Sequence, residues 1–250
     1  ESRASKTMVD MLTSYGTVTD PRLTLILSQS GAWVKGEADA VQYRGVPNGL
    51  PVTDLSLPEY DNSHNSCIWG YMWGYDWNSA AKGSNVAKPN TDANFTPLGL
   101  MNYSEVCFLK AEAALRGWQG AGDAQANYEE GIRASFEEMR ALAPAGSYST
   151  TDDNTYITTG QVAWNNADDF EIKLEKIITQ KWIGIYPNSE EAWAEFRRTG
   201  YPKLNPVKQS LEPTINPANN EFIKKLRYVD NELSNNKEYA TDPTLNGGKG

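Results

Sequence analysis

The chain has one histidine, His64, and two cysteines, Cys67 and Cys107, in 250 residues. So small a stock of soft and nitrogen ligands cannot build a zinc site unaided, and no CxxC pair occurs. Both cysteines are expected to be free thiols, because Cys107 falls inside a helical pattern and behaves there as a small hydrophobe. Positive charge is also in deficit, with 23 Lys and Arg against 32 Asp and Glu and a net charge of −9. A phosphate backbone needs a basic face, and no Lys/Arg cluster supplies one, so a nucleic-acid partner is excluded. No run of about 18 apolar residues is present, which rules out a membrane-spanning helix. With 39% hydrophobic residues and a mean hydropathy of −0.60, the chain reads as globular, long enough for one large domain or two small ones.

Motifs of catalysis are missing too. There is no GxGxxG at a helix start, no phosphate-binding Walker loop, no GxSxG elbow and no HExxH. A catalytic triad would have to use His64 in "DNSHNS", without a recognisable nucleophile beside it. A glycosidase needs two carboxylates facing each other across a cleft. The adjacent acids Asp152/Asp153, Asp168/Asp169 and Glu190/Glu191 do not require that reading, since helix capping accounts for the last two pairs. "DNSHN" (61–65) and "TDDN" (151–154) carry oxygen ligands of the kind Ca²⁺ takes, but neither matches an EF-hand loop and polar turns explain both. The residues therefore point to no enzyme, no cofactor and no metal. The opening "ESRASKTMVDML" has no initiator Met, no basic stretch and no apolar stretch after it. The expectation is that a preceding segment was removed or that the chain starts partway through a longer protein.

What is present divides into three stretches. Residues 1–101 read as irregular and mixed: a short helix over Lys6–Ser14, a turn at Asp20-Pro21 followed by a strand through "LTLIL", then Gly, Pro and Asn every few residues. Residues 102–200 read as two helical hairpins. Asn102 stands as N-cap with Glu105 three residues on, a capping box, ahead of an apolar face of Val106, Cys107, Leu109, Ala111, Ala113, Ala114 and Trp118. Asp123 caps a partner helix with Tyr128, Ile132, Phe136, Met139 and Ala143 at helical spacing. Gly131 in its middle is costly unless other backbone comes close, and Ala111, Ala113 and Ala114 offer that neighbour. A polar loop over 144–167 follows. Asp168 then caps a helix with Phe170, Leu174, Ile177, Ile178, Trp182 and Ile185 inward, and Ser189 caps a last one that stops at Gly200 and Pro202. Residues 201–250 read as an irregular wrap.

Residues 67–77, "CIWGYMWGYDW", place Trp69, Tyr71, Trp73, Tyr75 and Trp77 on every second position. A helix would suffer from Gly70 and Gly74 at about 1 kcal/mol each, so a strand is preferred, with all five rings on one face and both glycines on the other. Two readings stay open. The rings form a stacking surface for a ligand, or they form an aromatic seam of core. Trp33, in "SGAWVKG", is a further candidate on a loop. The candidate ligand-binding residues are thus Trp33, Trp69, Tyr71, Trp73, Tyr75 and Trp77.

The strings "YSEVCFLKAEAALRGW", "YEEGIRASFE" and "EKIITQKWIGIYPNSEEAWAEFRRTGYP" resemble the SusD/RagB family of Bacteroidetes outer-membrane lipoproteins, and "DPRL" (20–23) and "FIKKLRYVDNE" (222–232) fit that family's order. The resemblance is dense over residues 103–203 and ordered along nearly the whole chain. It implies a mainly α, SusD-like fold of tetratricopeptide-type helical hairpins with irregular, loop-rich segments and a few short strands. It also implies a non-enzymatic receptor on the extracellular face of the cell outer membrane. Such a receptor is lipid-anchored in the full-length protein and partnered with a SusC-like TonB-dependent transporter, to which it hands glycans or, in some branches, peptides. Family members are longer and begin with a lipobox cysteine and several tetratricopeptide helices. The chain is therefore expected to correspond to a C-terminal part, with an apolar patch where the rest would pack.

Overall fold

The computed structural model describes residues 3–68, 75–77, 87–89, 99–143, 148–211, 215–223, 229–238 and 242, with the backbone alone at 75–77 and 87–89. Two compact units emerge, residues 1–205 and residues 206–250. In the first unit lie α1 (Lys6–Ser14), α2 (Leu23–Ile26), α3 (Gly31–Lys35), a 3₁₀ turn (Val52–Ser56), β1 (Tyr75–Trp77), β2 (Ala87–Pro89), α4 (Tyr103–Leu115), α5 (Ala124–Arg140), α6 (Asp153–Thr158), α7 (Phe170–Gly184) and α8 (Ser189–Thr199). The second unit holds a 3₁₀ turn (Pro217–Asn219) and α9 (Asp230–Asn235). The fold is helical, as the spacing of apolar residues implied.

Helix α4 forms where the spacing places it, but its start is tied differently. The Asn102 side chain makes no cap bond. Instead Glu138 of α5 accepts from the Ser104 amide at 2.9 Å and from its hydroxyl, so a neighbouring helix satisfies the orphan donor. Glu105, expected in a capping box, lies 3.5 Å from the Lys181 ammonium. The buried stripe of α4 is Ser104, Cys107, Phe108 and Ala111, whereas Leu109 and Trp118 are exposed. Helix α5 is capped by Asp123, whose carboxylate accepts from the Ala126 amide at 2.7 Å, and it buries Tyr128, Ile132, Phe136 and Met139.

Gly131 does meet a close neighbour on the preceding helix, but that neighbour is an aromatic ring. A Cβ added at Gly131 would stand 2.7 Å from the Phe108 ring, and one at Gly184 of α7 would stand 3.3 Å from its other side. The alanines are not what fills the gap. Phe108 sits in two glycine notches, one on each flanking helix, and the two missing side chains let three helices share one ring.

Two caps fall one residue away from expectation. Asp169 caps α7, accepting from Ile172 N–H at 2.9 Å, and Asn188 caps α8, accepting from Glu191 N–H at 3.2 Å. Asp168 is occupied elsewhere, in an ion pair with Lys176 at 2.6 Å. Phe170 is turned outward beneath the Arg116 guanidinium, 5.3 Å from the ring centre, rather than inward. The polar stretch 144–167 is not wholly irregular, since α6 forms within it and buries Tyr156 and Ile157. Helix α8 ends as expected, on Gly200 in the left-handed region at φ 80°.

The "LTLIL" stretch is helical at α2, not a strand. Leu23, Leu25, Ile26 and Leu27 are all buried, and a short apolar run surrounded by core carries no period that separates helix from strand. The turn before it is fixed by Asp20, whose carboxylate accepts from Arg22 N–H at 2.8 Å and Nε at 2.9 Å. The fully buried guanidinium then reaches Ser135 of α5 at 3.0 Å and Gln180 of α7 at 2.7 Å. Burial alone works against the Arg22 charge, but the adjacent Asp20 carboxylate outweighs it and raises the pKa.

One core cluster packs α1 and α2 with Met139 and Ile183. A second joins α4, α5, α6 and α7 through Phe108, Tyr128, Ile132, Phe136, Tyr156 and Ile177. One ion network ties α8 on, joined at the buried Glu195, which pairs with both Lys181 and Arg198. Lys181 reaches Glu191 at 2.8 Å and Glu195 at 2.9 Å, while Arg198 grips Glu112 through both carboxylate oxygens at 2.6 Å. No disulfide joins Cys67 and Cys107.

Candidate functional site

Of the six candidate residues, Trp33 is the one whose side chain the structure describes. Trp69, Tyr71 and Trp73 lie outside the described residues. Tyr75 and Trp77 are the ends of β1, extended in backbone as expected and paired antiparallel with Pro89 and Ala87 of β2. The strip as a whole thus stands outside what the structure describes. Trp33 is on a helix rather than a loop: α3 is capped at Ser30, whose hydroxyl oxygen accepts from Trp33 N–H at 3.3 Å. The same hydroxyl donates to Val41 O at 2.6 Å, and Gly36 closes the helix at φ 72° with its N–H on Trp33 O at 2.9 Å. These bonds fix the backbone of a five-residue helix, and Trp33 on it is 46% exposed. An exposed indole on a capped helix offers a surface to another flat, partly apolar face.

Where the same helix meets the turn 61–64, a polar group is assembled from two distant stretches. Ala32 N–H donates to Ser63 O at 2.8 Å, which lays α3 against the turn 61–64. That contact puts Lys35 and Glu37 beside His64 and Asp61. The Lys35 ammonium stands 3.5 Å from Glu37, and His64 Nε2 stands 3.5 Å from the other Glu37 oxygen. On its far side His64 is fixed, with both Nδ1 and its backbone N–H 2.8 Å from Asp61 Oδ1. Partial burial works against the Asp61 carboxylate, but these His64 bonds prevail and hold it below the ordinary carboxylate range. Two more acceptors in this turn, Asn62 Oδ1 and Asn65 Oδ1, are shielded from solvent and have no hydrogen-bond partner.

The "DNSHN" stretch was legible as polar and oxygen-rich, and in the structure it is a turn closed on its own aspartate. Among the described residues no group of three or more His, Cys, Asp and Glu side chains converges as metal ligands would. Glu37 and Lys35 carried no signal in the sequence, because only the Ala32–Ser63 contact brings them to His64. Elsewhere, Arg3, Ser5, Val46, Asn48 and Leu55 line an open, shallow cleft. No helix among the described residues is long and apolar enough to cross a membrane.

The chain belongs to the SusD-like family, described as "Susd and RagB outer membrane lipoprotein", which matches residues 1–249. That family is not a catalytic one. Similar solved structures include a SusD-like protein from Bacteroides thetaiotaomicron (27% identity, TM-score 0.63), covering 99% of this chain and 48% of that one. A chitin-binding SusD homologue from Flavobacterium johnsoniae is 30% identical with a TM-score of 0.63, over 99% and 47% of the two chains. A SusD homologue from Bacteroides ovatus is 29% identical with a TM-score of 0.65, over 94% and 46%. The chain spans about half the length of these solved relatives. No curated protein matches it.

Proposed function

We propose that this chain binds oligo- or polysaccharides at the extracellular face of the outer membrane and delivers them to a SusC-like TonB-dependent transporter, the full-length protein being held there by a lipid anchor. The observation that carries the reading is the exposed Trp33 on a capped helix in a SusD-like chain. Pyranose rings present flat C–H faces that stack on such a ring, while their hydroxyls need polar side chains alongside. The chitin-binding relative supports a glycan over other partly apolar ligands. In this reading Trp69, Tyr71, Trp73, Tyr75 and Trp77 extend the stacking row along an oligosaccharide, with Trp73 central. The protein then needs no catalytic residue, cofactor or metal.

Calorimetry with a panel of oligosaccharides, including chitin and starch oligomers, tests the proposal, with peptides of matched length as the competing ligand class. Trp33→Ala and Trp73→Ala are each expected to weaken glycan binding by about tenfold, the effect of losing one stacked ring. Circular dichroism checks that both variants stay folded. Undiminished binding by folded Trp33→Ala removes that residue from the site, and binding of peptides alone replaces the glycan reading. Co-purification with the neighbouring transporter tests the partner.

A further inference from the structure

We infer that the polar chain Lys35–Glu37–His64–Asp61, formed where the helix that carries Trp33 meets the turn 61–64, selects uncharged glycans by their hydroxyl donors and turns acidic glycans away; this rests on the glycan-binding reading above. The geometry of His64 carries the argument. Its Nδ1 lies 2.8 Å from the Asp61 carboxylate, which can only accept, so in the neutral ring the proton sits on Nδ1. Nε2 is then an acceptor, and it faces another acceptor, Glu37 Oε2, at 3.5 Å. That spacing is too long for a hydrogen bond, and neither atom supplies a proton to the other. A hydroxyl donor belongs between or above them.

The rest of the turn also holds acceptors without donors, but they are closed to a ligand. Asn65 is 3% exposed, and its amide nitrogen is pinned by Glu59 O at 3.0 Å and Asp61 O at 2.8 Å. The amide therefore cannot be turned over to relieve Oδ1, which is left without a donor, as is Asn62 Oδ1; both are shielded from solvent, so the acceptors open to a ligand are those of His64 and Glu37. Two carboxylates, Glu37 and Asp61, face one ammonium, Lys35, in this group. Between His64 and Glu37, both partly exposed, a sugar hydroxyl brings a donor. A uronic acid or sulfated sugar brings more acceptors and a negative charge, against Glu37 and Asp61.

His64 is the single histidine of the chain, so its ring gives one set of nitrogen signals. The experiment titrates the full chain, ¹⁵N-labelled at histidine, with the tightest uncharged oligosaccharide of the panel and with an oligogalacturonide of equal length. The expected result is that the Nε2 signal moves on saturation with the uncharged ligand and that Glu37→Ala weakens its binding. The acidic ligand should bind about tenfold more weakly at low salt, a gap that closes as salt screens the charges. Glu37→Gln should narrow the same gap. Binding that depends on Trp33 yet leaves His64 signals and the Glu37 variants unaffected overturns this inference while leaving the stacking platform standing. Binding indifferent to Trp33→Ala overturns the platform and the inference together.

Discussion

Arg22 and His64 are held by the same local device with opposite results. In each, an aspartate two or three residues earlier accepts both the backbone N–H and a side-chain nitrogen: Asp20 for Arg22 at 2.8 and 2.9 Å, and Asp61 for His64 at 2.8 Å twice. Around Arg22 the remaining donors are consumed by Ser135 and Gln180, and nothing is exposed. Around His64 the second nitrogen is left facing Glu37 at a distance that binds neither. Burial decides which outcome follows. A polar cluster closed in on every side specifies a fold, while one left open on one side keeps a hydrogen bond in reserve.

The comparison breaks most visibly at the buried site. Arg22→Leu leaves the Asp20 carboxylate buried without its partner and should cost about 3–5 kcal/mol. Urea unfolding followed by circular dichroism measures it, and a cost below 1 kcal/mol would place the network outside the stabilising core. Next in size is Gly131→Leu, which must push into the Phe108 ring and should cost about 1–3 kcal/mol. A second substitution, Phe108→Ala, should recover part of that loss rather than add to it, a coupling that a double-mutant cycle reads directly.

A smaller effect is expected from acid. Burial works against the Glu112 carboxylate, but Arg198 and Arg116 overcome it and hold its pKa below the ordinary glutamate value. A depressed carboxylate stabilises fully above its unfolded-state pKa and loses that contribution as pH falls through its folded pKa. Melting temperature should therefore fall on acidification below the ordinary glutamate range, and Glu112→Gln should flatten the part of the fall that belongs to the α4–α8 tie. Smallest of all, His64→Ala at the open site should change stability by less than about 0.5–1 kcal/mol, since it breaks a partly exposed contact. If it cost as much as Arg22→Leu, the open site would be structural after all.

Helix existence was legible wherever apolar residues recurred at helical spacing beside a capping residue, as in α4, α5, α7 and α8. The positions of caps were less so, because Asp168 and Asp169, or Asn188 and Ser189, are equally able and only the Lys176 pair draws Asp168 away. Phe108 went unread for a related reason. It lies one residue from Cys107 in a helix apolar on several sides, and the notches that admit it belong to other helices. Tyr156 and Ile157 are buried in a stretch whose Ser, Thr and Asn content reads as loop. At the candidate site, Trp33 was legible as a lone aromatic among small residues. The polar group Lys35–Glu37–His64–Asp61 was not, since the backbone bond from Ala32 to Ser63 brings its two stretches together.

Phe108 between Gly131 and Gly184 has one more consequence, in the order in which the molecule opens. A ring lodged in notches on α5 and α7 cannot leave one helix without vacating the other, so separating any pair exposes the third. The amides of α4, α5 and α7 should therefore exchange with solvent as one cooperative unit, while those of α3, anchored by a few polar bonds at the surface, exchange by smaller local openings.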